Sequence, residues 1–251
     1  MHCFPIPAFD DNLIWLWHDG ERAAAVDPGD AEPVLHTLHE RDLRLDAVLI
    51  THLHDDHTGG AARLRRETGA QVYAPSWDGA TQAVRGGTTL SLIGRRVEVL
   101  HVPGHTAEHV AFVLPQPGWL FCGDTLFSAG CGRLFGGTPA QMTASLERLA
   151  ALPPQTQVFA AHEYTLANLR FAAAVEPDNA ALHAYAERCR ELRGRGQPTL
   201  PSTLATELAV NPFLRTRTPT VRAAVAAHVG TMPPNNVAVF AALRRWKDEF
   251  Q

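Results

Sequence analysis

The chain has 251 residues, 45% of them hydrophobic, and a formal net charge of −4 from 22 Lys and Arg against 26 Asp and Glu, enough for a sizeable core in one or two domains. The acidic balance excludes a general nucleic-acid-binding surface, which needs excess cationic charge to release counterions. Cys3, Cys122, Cys131 and Cys189 are widely spaced and form no C-x-x-C pair, so neither a thiolate zinc site nor a disulfide framework is suggested, and a reducing compartment is expected. No apolar run is long enough to span a bilayer, and the first residues, interrupted by Asp10 and Asp11, lack a basic signal region. The expectation is a soluble cytoplasmic protein.

In chain order, two strand-like runs, Leu13 to Trp17 and Ala23 to Val26, flank the turn His18-Asp19-Gly20 and read as a hairpin. The second run ends in Asp27-Pro28-Gly29, where Asp27 either caps the turn or orients a ligating histidine. A helix is predicted over residues 32–41, with His36 and His39 on its exposed side. Residues 46–51 form a short apolar, β-branched run of the kind buried on both faces of a sheet. It leads directly into THLHDDHTGG, which packs His52, His54, Asp56 and His57 into six residues. The buried strand in front argues against a histidine-rich surface loop. His52 and His54, two apart, point the same way from an extended backbone, and Asp56 and His57 lie beyond a bend, so the spacing suggests one ligand pair for each of two ions. Imidazole and carboxylate without thiolate suit zinc, iron or manganese. An amphipathic helix follows, stopped by Gly69.

Further strands are expected over residues 71–74 and 95–101, the latter delivering His105, then over 109–114 and 119–122, the latter delivering Asp124. Thr138 to Leu152 carries a capping-box pattern, Thr138 with Gln141, and Pro139 at the first turn. A strand over 157–161 ends at His162. Strand ends thus present Asp27, the 52–57 cluster, His105, Asp124 and His162, and helices between strands point to a layered α/β core with these residues along one edge. From Glu163 onward the pattern is helical, with helices expected at 165–174, 179–193, 202–208, 218–228 and 236–250. The division expected is 1–165 and 166–251.

The motif T-H-x-H-x-D-H-x-G-G at Thr51 to Gly60, with Pro103-Gly104-His105-Thr106 and Gly123-Asp124, resembles the signature of the metallo-β-lactamase-fold hydrolases. Four further stretches resemble glyoxalase II, the hydroxyacylglutathione hydrolases: residues 129–133 (AGCGR), 162–165 (HEYT), 211–215 (NPFLR) and 244–248 (RRWKD). The resemblance covers nearly the whole chain. It implies an αββα sandwich followed by a small all-helical glutathione-binding domain. It further implies two divalent ions, zinc foremost with iron or manganese as alternatives. One ion would be held by His52, His54 and His105, the other by Asp56, His57 and His162, with Asp124 bridging and Asp27 behind the ligands. Arg133, Phe135, Tyr164, Arg244 and Lys247 would hold the tripeptide, the two helical cations at a partly exposed rim. Phe135 stands where many relatives have tyrosine, and a missing neutral hydrogen bond there is worth about 0.5–1.5 kcal/mol. The implied reaction is hydrolysis of S-D-lactoylglutathione to D-lactate and glutathione, in methylglyoxal detoxification, by a monomer. The alternative is an iron oxidoreductase resembling the glutathione persulfide dioxygenases of the same fold.

Overall fold

The computed structural model describes residues 1–250, and the chain divides into two compact units. The first comprises residues 1–101, 108–123 and 159–162, and the second residues 102–107, 124–158 and the chain from Glu163 onward. The second unit therefore takes in two earlier stretches besides the helical segment expected from the sequence.

The first unit runs β1 (His2–Ala8), β2 (Asn12–His18), β3 (Arg22–Val26), α1 (Glu32–Glu40), β4 (Arg44–Leu49), α2 (Asp55–Thr58), α3 (Ala61–Thr68), β5 (Gln71–Ala74), β6 (Gln82–Ala83), β7 (Thr89–Leu92), β8 (Arg95–His101), β9 (Val110–Leu114) and β10 (Trp119–Gly123). β1 to β6 form one mixed sheet in sequence order. β1, β2 and β3 pair antiparallel, and β3 to β6 pair parallel. β2 is buried along almost its whole length, as expected of a strand covered on both faces. Its even residues Ile14 and Leu16 join Val34 and Leu38 of α1 and Ala61 and Leu64 of α3 in one apolar cluster. Its odd face turns the other way. There Trp15 stacks edge-on against Phe159 at 4.9 Å, donates its indole N–H to Ala160 O at 2.8 Å, and so ties the two sheets together.

The second unit adds the hairpin β11 (Leu126–Phe127) and β12 (Gly130–Cys131), then α4 (Pro139–Ala150), β13 (Gln157–Ala160), α5 (Thr165–Val175), α6 (Ala180–Gly194), β14 (Ser202–Thr203), α7 (Leu204–Val210), α8 (Pro219–Val229) and α9 (Asn236–Glu249). β13 belongs by its first half to this unit, where Gln157 and Val158 pair with β14, and by its second half to the first. The second sheet has the order β14-β13-β10-β9-β8-β7. The capping box forms as its residues predict, Thr138 Oγ1 accepting from Gln141 N and Gln141 Oε1 from Thr138 N.

Three local expectations are corrected. β1, which contains Pro5 and Pro7, was not among the strands expected. It lies at the sheet edge and pairs only with β2, so both positions that lack an N–H are tolerated. The helix expected from Ser202 begins at Leu204, because Ser202 and Thr203 pair with β13 and Thr203 serves as N-cap, accepting from Thr206 N at 3.2 Å. The bend expected between His54 and His57 is a single helical turn, α2.

Replacing Trp15 by Phe removes the donor to a buried carbonyl and part of the packing on Phe159. The expected loss is about 1–3 kcal/mol for the unmatched carbonyl, read as a lower midpoint in urea denaturation. An unchanged midpoint would place the tie between the sheets elsewhere.

Candidate metal centre

The donors of the first unit are positioned by one buried carboxylate. β4 ends at Leu49, and Thr51 then donates from its backbone N to Asp27 Oδ1 at 2.7 Å and from Oγ1 to Asp27 Oδ2 at 2.8 Å. Asp27 also faces His57, with Oδ2 3.1 Å from Nδ1, and a carboxylate on that side of the ring favours Nε2 as the ligating atom. His52 Nδ1 lies 3.1 Å from Thr51 Oγ1, its Nε2 lies 3.0 Å from His54 Nδ1, and its ring stacks on that of His109 at 4.7 Å. Asp56 and His57 sit on α2, whose first turn closes on His54 O. Asp56 Oδ2 lies 3.4 Å from His57 Nε2 and 3.5 Å from His162 Nε2, and accepts from Asn12 Nδ2 at 3.0 Å. His162 in turn places Nδ1 2.7 Å from Asp11 Oδ1.

The close fit between the two loops explains the glycines of the motif. A Cβ on Gly29 would stand 1.9 Å from Asp56 O, and one on Gly59 would stand 2.6 Å from Gly29 O, so neither position admits another residue without backbone movement. Contact with His57 is the largest influence on the Asp56 carboxyl, and together with Asn12 and His162, against the opposing effect of burial, it holds that group well below the usual carboxylate range.

In the second unit the same pattern appears with two residues. His105 Nδ1 donates to Arg133 O at 2.8 Å, leaving Nε2 3.4 Å from Asp124 Oδ2. Gly132 permits this, since a Cβ there would stand 2.0 Å from Asp124 O and 3.0 Å from His105 Nδ1. Both donors line a cleft of about 460 Å³, with Arg133, Phe135, Tyr164 and Lys247 among its other walls.

These donors fit divalent ions. A tetrahedral centre with bonds of about 2.0–2.1 Å sets neighbouring ligand atoms about 3.3 Å apart. The Asp56, His57 and His162 atoms lie within 4.8 Å of one another, and the 3.4 and 3.5 Å separations within that trio match such an edge. His105 and Asp124 repeat it at 3.4 Å. In each unit by itself the Nδ1 atoms of His57, His162 and His105 face an oxygen, which leaves Nε2 as the atom turned toward the neighbouring donors.

A model of the metallo-β-lactamase superfamily matches residues 9–83 and 74–162, and a model described as the hydroxyacylglutathione hydrolase C-terminus matches residues 163–250. A hydroxyacylglutathione hydrolase of Albidiferax ferrireducens is 52% identical across the whole of both chains, and one of Cupriavidus taiwanensis is 55% identical over 98% of each. The chain belongs to the hydroxyacylglutathione hydrolase family. Its αββα fold, with two mixed sheets and a helical C-terminal region, is that of the metallo-β-lactamase superfamily. The crystal structure of ETHE1 from Myxococcus xanthus shares the fold at 24% identity, with a TM-score of 0.66 and full coverage of both chains. That of TTHA1623 in a di-iron-bound form is 33% identical, with a TM-score of 0.57 over 63% of this chain and 91% of that one.

Of the two helical cations expected at a partly exposed rim, Arg244 is the more deeply buried. Arg244 is only 6% exposed. Its Nη1 donates to Cys131 O at 2.8 Å, its Nη2 donates to Asp248 Oδ1 at 2.9 Å, and its guanidinium lies 5.2 Å over the Phe213 ring. It lines the cleft from a buried position, held by these contacts. Lys247 is half-buried, donates to Ala167 O at 3.3 Å and lies over the Phe171 ring. Burial, then the neighbouring Arg244, Arg170 and Arg133, pull its pKa below that of a free lysine. Arg133 is exposed, 3.6 Å from Asp248, and Phe135 meets His105 edge-on at 5.3 Å. Spacing on α9 shows which residues share a face but not how deeply that face is buried.

Sequence reasoning missed Asp11, Asn12, Thr51 and His109. The available signal was three consecutive polar residues, Asp10, Asp11 and Asn12, at the mouth of an otherwise apolar strand, where they read as an interruption of apolar character.

Asn at position 27 or 11 would keep the shape and remove the charge that fixes a ligand imidazole. Loss of such a partner typically weakens metal binding 10- to 100-fold. The side chain of Asp27 is 4% exposed and that of Asp11 38%, so Asp27→Asn is expected at the upper end and Asp11→Asn at the lower. Chelator competition measures both. Unchanged affinity in Asp27→Asn would leave that residue as a turn cap.

Proposed function

We propose that the chain hydrolyses S-(2-hydroxyacyl)glutathione thioesters, S-D-lactoylglutathione foremost, releasing the hydroxy acid and glutathione in the detoxification of methylglyoxal. The observation that carries this reading is the cleft of the second unit, where the His105 and Asp124 donor pair stands among Arg133, Tyr164 and Lys247. A cation-ligating pair beside basic side chains suits a substrate with a reactive carbonyl at one end and tripeptide carboxylates at the other. The family of the chain supports the same substrate class.

His52, His54 and His105 would hold one ion and Asp56, His57 and His162 the other, with Asp124 available to both; zinc would suit the donor set best, and iron or manganese would also suit it. When bound, such ions lower the pKa of coordinated water to about 7 and polarise a carbonyl. The residues supply the rest. Asp27 and Asp11 hold the His57 and His162 tautomers. Lys247 and Arg133 meet the substrate carboxylates, Tyr164 offers a hydroxyl, and Phe135 offers an apolar face. Arg244 keeps the Cys131 carbonyl, and with it the wall, in place. Hydrolysis adds a water oxygen to the carbonyl carbon and breaks the C–S bond. A thiol of pKa about 8.5 leaves as thiolate and takes its proton from solvent, so no strong general acid is demanded.

The enzyme is taken to act as a monomer in the cytoplasm. Among the described residues no helix is long and apolar enough to cross a membrane. The dioxygenase alternative requires one iron and consumption of oxygen.

The deciding experiment assays thioester cleavage on S-D-lactoylglutathione, with metal content and oxygen uptake measured on the same sample. Thioester loss without oxygen uptake is expected, with close to two ions per chain. Oxygen consumption on glutathione persulfide with one iron would favour the alternative. Asp124→Ala should lose metal and nearly all hydrolysis, and retained metal and rate would end the dinuclear assignment.

Lys247→Ala should raise KM about fivefold with kcat nearly unchanged, because one partly exposed charged contact far from the carbonyl is worth about 1 kcal/mol in ground and transition states alike. Since burial favours the neutral amine, the wild-type KM should climb as pH rises through the lowered Lys247 pKa, and Lys247→Ala should lose that climb. A KM profile identical in both proteins would remove Lys247 from the binding site.

A further inference from the structure

The second unit buries a carboxylate that takes no part in the metal set. Glu207, on α7, has no solvent exposure. Its Oε1 accepts from Ser128 Oγ at 2.9 Å, and its Oε2 accepts from Ala129 N at 2.8 Å and Asn211 Nδ2 at 3.2 Å. These partners are neutral. Burial is the largest influence on its carboxyl and pushes the pKa up, and the donors pull it back. A carboxylate buried without a cation is costly, so its retention calls for a task that an apolar residue could not perform.

That task lies in the hairpin turn. β11 and β12 pair through Leu126 with Cys131 and Phe127 with Gly130, leaving Ser128 and Ala129 as a two-residue turn. Turns of this length favour glycine, asparagine or aspartate where φ is positive. Here Ala129 holds φ +55, and neither residue is of the favoured kind. The polar groups of the turn are met from outside. Glu207 takes the Ala129 N–H and the Ser128 hydroxyl, Tyr185 OH lies 2.8 Å from Ser128 Oγ, and Asn168 Nδ2 donates to Ser128 O at 3.0 Å. Asn211 Nδ2 donates to Phe127 O at 3.1 Å and Gly130 O at 3.0 Å. The backbone approach is close, since a Cβ on Gly130 would stand 2.5 Å from Asn168 Nδ2. The hairpin leaves Asp124 on one side and delivers Cys131, Gly132 and Arg133 on the other, and Asp124, Phe127, Cys131, Gly132 and Arg133 all line the cleft.

We infer that Glu207 is a positioning residue for glutathione-thioester recognition, its carboxylate imposing the Ser128–Ala129 turn so that Phe127, Cys131 and Arg133 form the cleft wall. It touches no substrate atom. The inference rests on the proposed function of the cleft and adds a residue, more than 70 positions away in sequence, that sets its shape.

The test uses Glu207→Gln, which keeps the volume but replaces one acceptor oxygen by a donor, so that Ala129 N and Ser128 Oγ can no longer both donate to it. With metal content unchanged, KM for S-D-lactoylglutathione should rise about three- to tenfold with kcat within twofold. The Kd for a non-hydrolysable S-alkylglutathione, measured by calorimetry, should rise in parallel. Small thioesters without the tripeptide should be hydrolysed as by wild type. Ala129→Gly removes the backbone demand, so Glu207→Gln combined with Ala129→Gly should recover part of the lost affinity. A lower Tm with unchanged KM and Kd would make Glu207 a stability residue and overturn the inference, as would failure of Ala129→Gly to recover affinity. Wild-type protein is run alongside. If it neither binds the S-alkylglutathione nor cleaves the thioester, the proposed function fails and the inference with it, whereas wild-type turnover with unaltered Glu207→Gln binding defeats the inference alone.

Discussion

Asp27 is the residue on which the donor geometry of the first unit depends. Three short contacts converge on one carboxylate, from Thr51 N, Thr51 Oγ1 and His57 Nδ1. They fix the end of one strand relative to the helical turn that begins six residues later. A buried carboxylate is tolerable only when its lone pairs are filled, and here the groups that fill them belong to the ligand loop itself. Gathering several imidazoles and carboxylates carries a further cost, because donors aimed at a common point cannot all hydrogen-bond one another. A cation relieves that cost, and the outward-facing Nδ1 partners ensure that relief comes through Nε2.

The second unit applies the same economy to a backbone. His105 and Asp124 are held by a carbonyl and by a glycine contact, and the wall that follows is fixed from behind by Arg244, Asn168, Asn211 and Glu207. Side chains from three helices thus satisfy a hairpin only two residues long on each strand. Such a hairpin has too few pairings of its own to define a binding wall, since even longer isolated hairpins are marginal in water.

Much of this was legible in the sequence because its signals are local. The THLHDDHTGG run, the apolar residues before it and the capping box at Thr138 each state their structure within a few residues. The strands that deliver His105, Asp124 and His162 are visible for the same reason. What could not be read depends on distant partners. β1 is a strand only because β2 lies beside it, and Ser202 and Thr203 are a strand only because β13 accepts them. Asp11 matters through His162, 151 residues away. Arg244 shares a helix face with Lys247 yet is buried by Cys131 and Phe213, neither of which the spacing of α9 could announce.

Backbone strain follows the same division between what is local and what is imposed. Among the described residues, five non-glycines take positive φ: Phe9, Asp27, Asp42, Ile93 and Ala129. Each costs of order 1–3 kcal/mol and persists only where surrounding contacts over-determine it. Asp42 follows Arg41, the C-cap of α1, and Ile93 lies in the short turn between β7 and β8. The other three stand beside donors or the cleft. Phe9 opens the turn that carries Asp11 and Asn12, Asp27 is itself the anchor of Thr51 and His57, and Ala129 tops the hairpin between Asp124 and Arg133. At the last two, buried side-chain or backbone hydrogen bonds of 2.7–2.8 Å hold the strained unit in place. Stability there is spent to set the direction of a side chain. An unstrained turn at either position would release the carboxylate of Asp27 from its ligand, or the cleft wall from Glu207.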